Sequence, residues 1–137
     1  MSDINQVQAL AKAIHLALKS DIAVQSVLGQ EARLYDAPPE DPIYPYLTYG
    51  PMRSEDIGGD DSPMTAHNLT LHLWSRYGGR AEVMSIIQAV SGVLENGNWQ
   101  LVEGHLVSAN VIFTDQFRAP DGRTLHGIIR LNATTQP

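Results

Sequence analysis

The stretch that most constrains this chain is Asn68–Leu94, which reads as a strand, a glycine-bearing turn and a long amphipathic helix. Leu69, Leu71 and Leu73 alternate with Thr70, His72 and Trp74, the period-two pattern of a strand with one face on a core. Gly78-Gly79 ends the alternation, and paired glycines are expected to take positive φ there and reverse the chain. Beyond them Val83, Ile86, Ile87, Val90, Val93 and Leu94 recur at helical spacing. A strand and helix joined this closely should pack apolar face on apolar face. Six buried aliphatic side chains contribute about 1.5–3 kcal/mol each before conformational entropy is set against them.

The flanks supply the other elements. Val7, Leu10, Ala11, Ile14, Ala17 and Leu18 predict a first amphipathic helix, with Asp3 near its N-terminal end and Lys19 near its C-terminal end. Ser20 or Asp21 can cap a short helix over Ile22–Leu28, which Gly29 closes. Arg33–Tyr35 is a short strand candidate, and the three prolines of Ala37–Pro42 exclude regular structure. Tyr46–Tyr49 is β-prone and stops at Gly50-Pro51. Met52–Thr65, with no periodicity, four acids and two glycines, reads as a long mobile acidic loop.

After the central unit, Glu95–Asn98 forms a turn, Trp99–Glu103 a short strand, and His105–Phe117 a longer one with Val107, Ala109, Val111 and Phe113 on one face. Ala119–Arg123 is a Pro-Asp-Gly turn, and Thr124–Thr134 returns with Leu125, Gly127, Ile129, Leu131 and Ala133 inward. The expected fold is a single α+β domain over residues 1–137. It has an antiparallel sheet of about four strands, two main helices packed on one face and the long acidic loop.

Several function classes drop out. With no cysteine there are no disulfides, thiolate metal sites or cysteine nucleophiles. No apolar run approaches the roughly 20 residues that span a bilayer, so no membrane partner is expected. The N-terminal segment lacks the basic and continuous apolar regions of a signal peptide, which implies synthesis in a reducing cytoplasm. The net charge of −6 is concentrated in the first half, where ten acids face Lys12, Lys19, Arg33 and Arg53. Residues 69–137 balance at five against five. An acidic chain lacks the basic footprint that grips nucleic acid, though DNA could slide past it.

No catalytic constellation is present in the sequence, and no cofactor or metal is implied. His67 and His72 fall on opposite faces of one strand by alternation, which argues against a shared metal. Gly58-Gly59-Asp60-Asp61 lacks the flanking strand pattern and the second acidic cluster of a cyclase-like metal loop. Ser75 has no nucleophile-elbow context, and there is no phosphate loop. Polar residues at turns stand out instead. Arg76, Tyr77 and Arg80 bracket the strand–helix turn, while Arg118, Asp121 and Arg123 mark the Pro-Asp-Gly turn. Arginine and tyrosine are strong interface anchors. Basic turns in one half, with Glu55, Asp56, Asp60 and Asp61 in the other, suit head-to-tail contacts that close into a ring. Surface pairing of the arginines with Glu82, Asp115 and Asp121, at about 0–1 kcal/mol each, accounts for the same residues equally well.

The short Leu34-Tyr35-Asp36 strand, Pro45-Tyr46-Leu47-Thr48, the segment Leu71–Glu82 and the close Phe117–Gly127 together resemble one family across almost the whole chain. It is the tail-completion, or tail-terminator, proteins of long-tailed phages, in particular the version found in gene transfer agents of alphaproteobacteria. The resemblance implies a structural virion protein that forms a hexameric ring on the head-proximal end of the tail tube. Its implied partners are further copies of itself, the tail tube protein and the head–tail connector or stopper, with DNA passing through the lumen. Two other readings stay open from the residues: an assembly chaperone or adaptor outside the particle, and a cytosolic small-ligand enzyme using His72, Trp74 and the acidic loop.

Overall fold

The computed structural model describes residues 2–137, with side chains from residue 6 onward. The elements run α1 (Ser2–Ser20), α2 (Ile22–Leu28), β1 (Leu34–Tyr35), β2 (Tyr46–Asp56), β3 (Thr65–Ser75), α3 (Ala81–Asn96), β4 (His105–Arg118) and β5 (Leu125–Gln136). The α+β architecture is as expected, but the sheet has five strands in the order β1-β2-β3-β5-β4 and its polarity is mixed. The fifth strand is β1, which pairs parallel with β2 through Leu34↔Leu47 and Tyr35↔Thr48. The proline-rich segment between them carries the chain back to the same end, so the two strands run in one direction.

The core forms between the sheet and the apolar stripes of its helices. Leu69, Leu71 and Leu73 of β3 and Ile129, Leu131 and Ala133 of β5 meet Leu10, Ile14 and Leu18 of α1 and Val83, Ile86, Val90 and Leu94 of α3 in one cluster. The alternation read along residues 69–74 is the real one: odd-numbered β3 residues are buried and even-numbered ones face away from the helices. Helix α3 crosses Gly127 so closely that a Cβ there would sit 3.0 Å from Val83 Cγ2 and 3.3 Å from Leu73 Cβ. Asp21 caps α2 by accepting from the Val24 N–H at 3.0 Å, and Gly29 ends it at φ 104°.

One buried polar chain crosses this core. His67 bonds Ser54 Oγ through Nδ1 at 2.7 Å and Thr135 Oγ1 through Nε2 at 2.8 Å. The Thr135 hydroxyl donates to Gln6 Oε1 on α1. His67 and His72 do lie on opposite faces of β3, one buried and one half-buried.

Four expectations are corrected. Gly78 and Gly79 take no left-handed φ, because the chain crosses from β3 to α3 in an open five-residue connection that needs no tight reversal. Trp99–Glu103 is not a strand. Trp99 is buried, and its Nε1 donates to the Val93 carbonyl at 3.1 Å, which folds the segment back on the end of α3. The expected loop Met52–Thr65 is shorter, since β2 runs on to Asp56 and β3 starts at Thr65. Finally, β4 does not keep Val107, Ala109, Val111 and Phe113 on one face. Register shifts between Leu106 and Ser108 and between Val111 and Phe113 leave Val107 and Ile112 without a partner residue, and each shift reverses the alternation.

Candidate assembly interface

The residues singled out for assembly fall into two groups at opposite ends of the strands. Ser75 on β3 pairs with Leu125 on β5, which pairs with Arg118 on β4, so the β3–α3 and β4–β5 turns share one end. Asp56 pairs with Thr65 and Thr65 with Thr135, which puts the acidic β2–β3 tip at the other. β3 is 11 residues long, so the two groups stand about 33 Å apart at roughly 3.3 Å per residue. Arg76, Tyr77, Arg80, Arg118, Asp121 and Arg123 are brought together; Glu55, Asp56, Asp60 and Asp61 are held away from them.

At the arginine end, Asp121 and Arg76 are occupied within the fold, and Arg118 NH1 donates to the Gly122 carbonyl at 3.3 Å. The Asp121 carboxylate accepts from the backbone N–H groups of Arg123 and Thr124, both at 2.9 Å, and from the Thr124 hydroxyl at 2.7 Å. The Thr124 hydroxyl, then those two N–H groups, outweigh a small opposing desolvation; with Arg76 they hold the Asp121 pKa down at about 2. Gly122 supplies φ 74° for the turn. Arg76 Nε donates to Thr124 Oγ1 at 3.1 Å, its NH2 lies 3.7 Å from Asp121, and its guanidinium covers the Tyr44 ring at 4.4 Å from the centroid. Arg76 therefore clasps the two turns together. Glu82 accepts from Ser75 Oγ at 2.7 Å, and among the described residues it forms no salt bridge with an arginine. Tyr77, Arg80, Arg118 and Arg123 remain exposed at this end.

At the acidic end the tip is folded on itself rather than loose. Ile57 N–H donates to the Met64 carbonyl at 2.9 Å, Ser62 N–H to Gly59 at 3.2 Å, and Gly58 N–H to Asp56 Oδ1 at 3.0 Å. A Cβ on Gly58 would overlap the Ser62 carbonyl at 2.1 Å. Glu55 and Asp56 belong to β2 itself. They read as loop because nothing in the local sequence reveals that a charged strand end is paired on one side alone.

Two further surfaces were not singled out from sequence. The first is the sheet face turned away from the helices. Cross-strand neighbours build an aromatic row there: Tyr46 stacks on Trp74 at 6.3 Å, Trp74 on His126 at 4.0 Å, and Phe117 tilts onto His126 at 4.9 Å. His72 Nδ1 and His126 Nε2 are 2.8 Å apart, so one ring donates and the other accepts. Burial, reinforced for His126 by its histidine neighbour, lowers both pKa values. Tyr46, Trp74 and His126 share even parity on adjacent strands, but Phe117 joins them only through the β4 register shifts, so the row exists only once the register is known. The second surface is β4. It bonds β5 on one flank alone and exposes Val107, Ile112, Phe113 and Phe117. Edge strands are commonly protected by charge, proline or brevity. This one is 14 residues long and free of proline; its charges, Asp115 and Arg118, lie toward one end, and its two irregularities leave Val107 and Ile112 exposed.

Among the described residues no cluster of metal-ligating side chains accompanies these surfaces. Polar, aromatic and apolar groups are displayed outward, a construction suited to contact with other chains. Comparison with curated proteins by sequence gives no match. Among solved structures, a chain from the virion of the native gene transfer agent (GTA) particle has the same fold. The TM-score is 0.87 at 21% identity, with 96% of this chain and 98% of that chain covered. The profile of the family described as "Tail completion protein gp17" matches residues 12–136, nearly the whole domain. The chain belongs to this tail completion family and is a structural protein of a phage-like tail, not an enzyme.

Proposed function

We propose that copies of this chain close into a ring, six in number, at the head-proximal end of the tail tube. The ring stops further tube growth and presents its other side to the connector or stopper of the head, and DNA passes through the opening. Membership of the tail completion family carries the reading. Two features of the chain support it. An acidic tip and exposed arginines occupy separate parts of the surface, as heterologous, head-to-tail contacts need. The net charge of −6 suits a channel through which DNA must slide without adhering. The fold shared with a gene transfer agent virion chain is consistent with particles of that kind.

The test is deletion of the gene in the producing host, followed by electron microscopy of the particles. The expected result is DNA-filled heads without tails beside free tails of abnormal length. Normal tailed particles would overturn the termination and joining role. Mass spectrometry of purified wild-type particles then separates a resident component from an assembly chaperone: the chain should be present, in a ratio of six per tail.

A further inference from the structure

The sheet face turned away from the helices holds a hollow of about 400 Å³, lined by Arg53 on β2, Asn68 and Thr70 on β3, Arg130 on β5 and Ile112 on β4. These residues come together through the register: Arg53 pairs with Asn68, Asn68 with Asn132, and Thr70 with Arg130. Asn132 Nδ2 donates to Asn68 Oδ1 at 3.1 Å, fixing the floor. Arg130 lies over the Phe113 ring, 5.4 Å from its centroid. Among the described residues the one salt bridge is Arg76–Asp121, so neither Arg53 nor Arg130 has a carboxylate partner. Two exposed guanidinium groups beside an apolar wall of Ile112 and Phe113 make a receptor for a carboxylate-bearing segment that also carries an aliphatic side chain.

The same chain presents such a segment. The β2–β3 tip carries Asp60 and Asp61 beside Ile57, which is 54% exposed. Its shape is preset by the Ile57–Met64 and Gly59–Ser62 hydrogen bonds and by the close packing at Gly58, so little ordering entropy opposes docking. The tip projects from the end of the sheet while the hollow lies along its face. Occupation by a neighbouring copy is therefore head-to-tail, the kind of contact that closes into rings.

The geometry points to this hollow as the seat of a neighbouring subunit's β2–β3 tip: Asp60 and Asp61 of one copy meet Arg53 and Arg130 of the next, and Ile57 meets Ile112. This rests on the ring reading above and replaces Arg118 and Arg123 with Arg53 and Arg130 as the partners of the acidic tip.

Because the chain has no native cysteine, cross-linking tests it directly. Asp61→Cys and Thr70→Cys, combined in one chain and expressed in the particle-producing host in place of the wild type, should give a disulfide-linked ladder of this chain when purified particles are oxidised. Neither single variant should do so. In parallel, Arg53→Glu with Arg130→Glu should lower the yield of tailed particles by about tenfold or more, as should Asp60→Arg with Asp61→Arg; all four together should recover most of it. Circular dichroism of each purified variant shows whether its fold is kept. Tailed particles that contain the double-cysteine chain without any ladder would overturn the seat while leaving the ring intact. So would charge reversals that keep full yield, or a four-fold variant of native fold that shows no recovery. Gene deletion that leaves tailed particles normal overturns the ring reading, and the seat with it.

Discussion

β4 and β5 are neighbours of 14 and 12 residues, and in sequence both read as alternating strands with an apolar face. In the structure β5 buries Leu125, Ile129, Leu131 and Ala133 and is bonded on both flanks. β4 buries no residue fully, is bonded on one flank, and turns Val107, Ile112, Phe113 and Phe117 toward solvent. Apolar residues thus fill the core from one strand and remain largely exposed on the next. What separates them is position in the sheet and two register shifts, neither of which local composition encodes.

The largest expected difference comes from truncating each strand. Leu131→Ala in β5 should destabilise the monomer by about 2–5 kcal/mol in urea denaturation, from lost burial and the cavity left behind. Phe113→Ala in β4 should destabilise it by less than about 1 kcal/mol. Equal losses at the two positions would dissolve the distinction. Next comes the closeness of α3 to β5. Gly127→Val should destabilise by about 1–3 kcal/mol through overpacking against Val83 and Leu73, whereas Gly79→Ala, whose Cβ would meet open space, should stay within about 0.5 kcal/mol.

A smaller effect should follow pH. His72 and His126 have lowered pKa values, so the folded protein binds fewer protons there than the unfolded chain. Their contribution is complete above the ordinary histidine value of 6.5 and is lost as pH falls through that value toward the lowered ones. The melting temperature should therefore fall between about pH 7 and pH 5. The groups facing the pair on neighbouring strands are Trp74, Thr48, Asp115 and Phe117; Asp115 acts against the lowering at His126. His126→Gln should flatten this part of the melting profile, and an unchanged slope would remove the pair as its source. Smallest of all, Ile112→Thr at the second β4 irregularity should move monomer stability by no more than about 0.5 kcal/mol. A larger loss would mean that β4 contributes to the core after all.

How much of this could be read beforehand depends on the range of the interaction that decides each feature. The β3 alternation, the α3 stripe with Ile87 and Val93 at its half-buried margins, and the Gly122 turn are local and stand in the structure as in the sequence, and of the two caps offered for α2 it is Asp21 that accepts from the helix. Strand order is not local: β1 joins the sheet beside β2 through two residue pairs that no periodicity announces. The assembly residues divide in the same way. Arg76 reads as an exposed turn residue until Thr124, 48 positions away, is seen to accept from it. Arg53 and Arg130 carried no signal in isolation, because the hollow they line exists only once four strands are in register.

The buried chain Ser54–His67–Thr135–Gln6 bears on where α1 sits along the sheet. Its apolar contacts, Leu10, Ile14 and Leu18, recur every four residues and would be met nearly as well after sliding by one turn, about 5.4 Å. An apolar stripe alone is a smooth rail. Gln6, 3% exposed, fits the Thr135 hydroxyl at one point on that rail and would be left buried without a partner at the next. It acts as a detent, a single notch that sets the helix's position along its own axis.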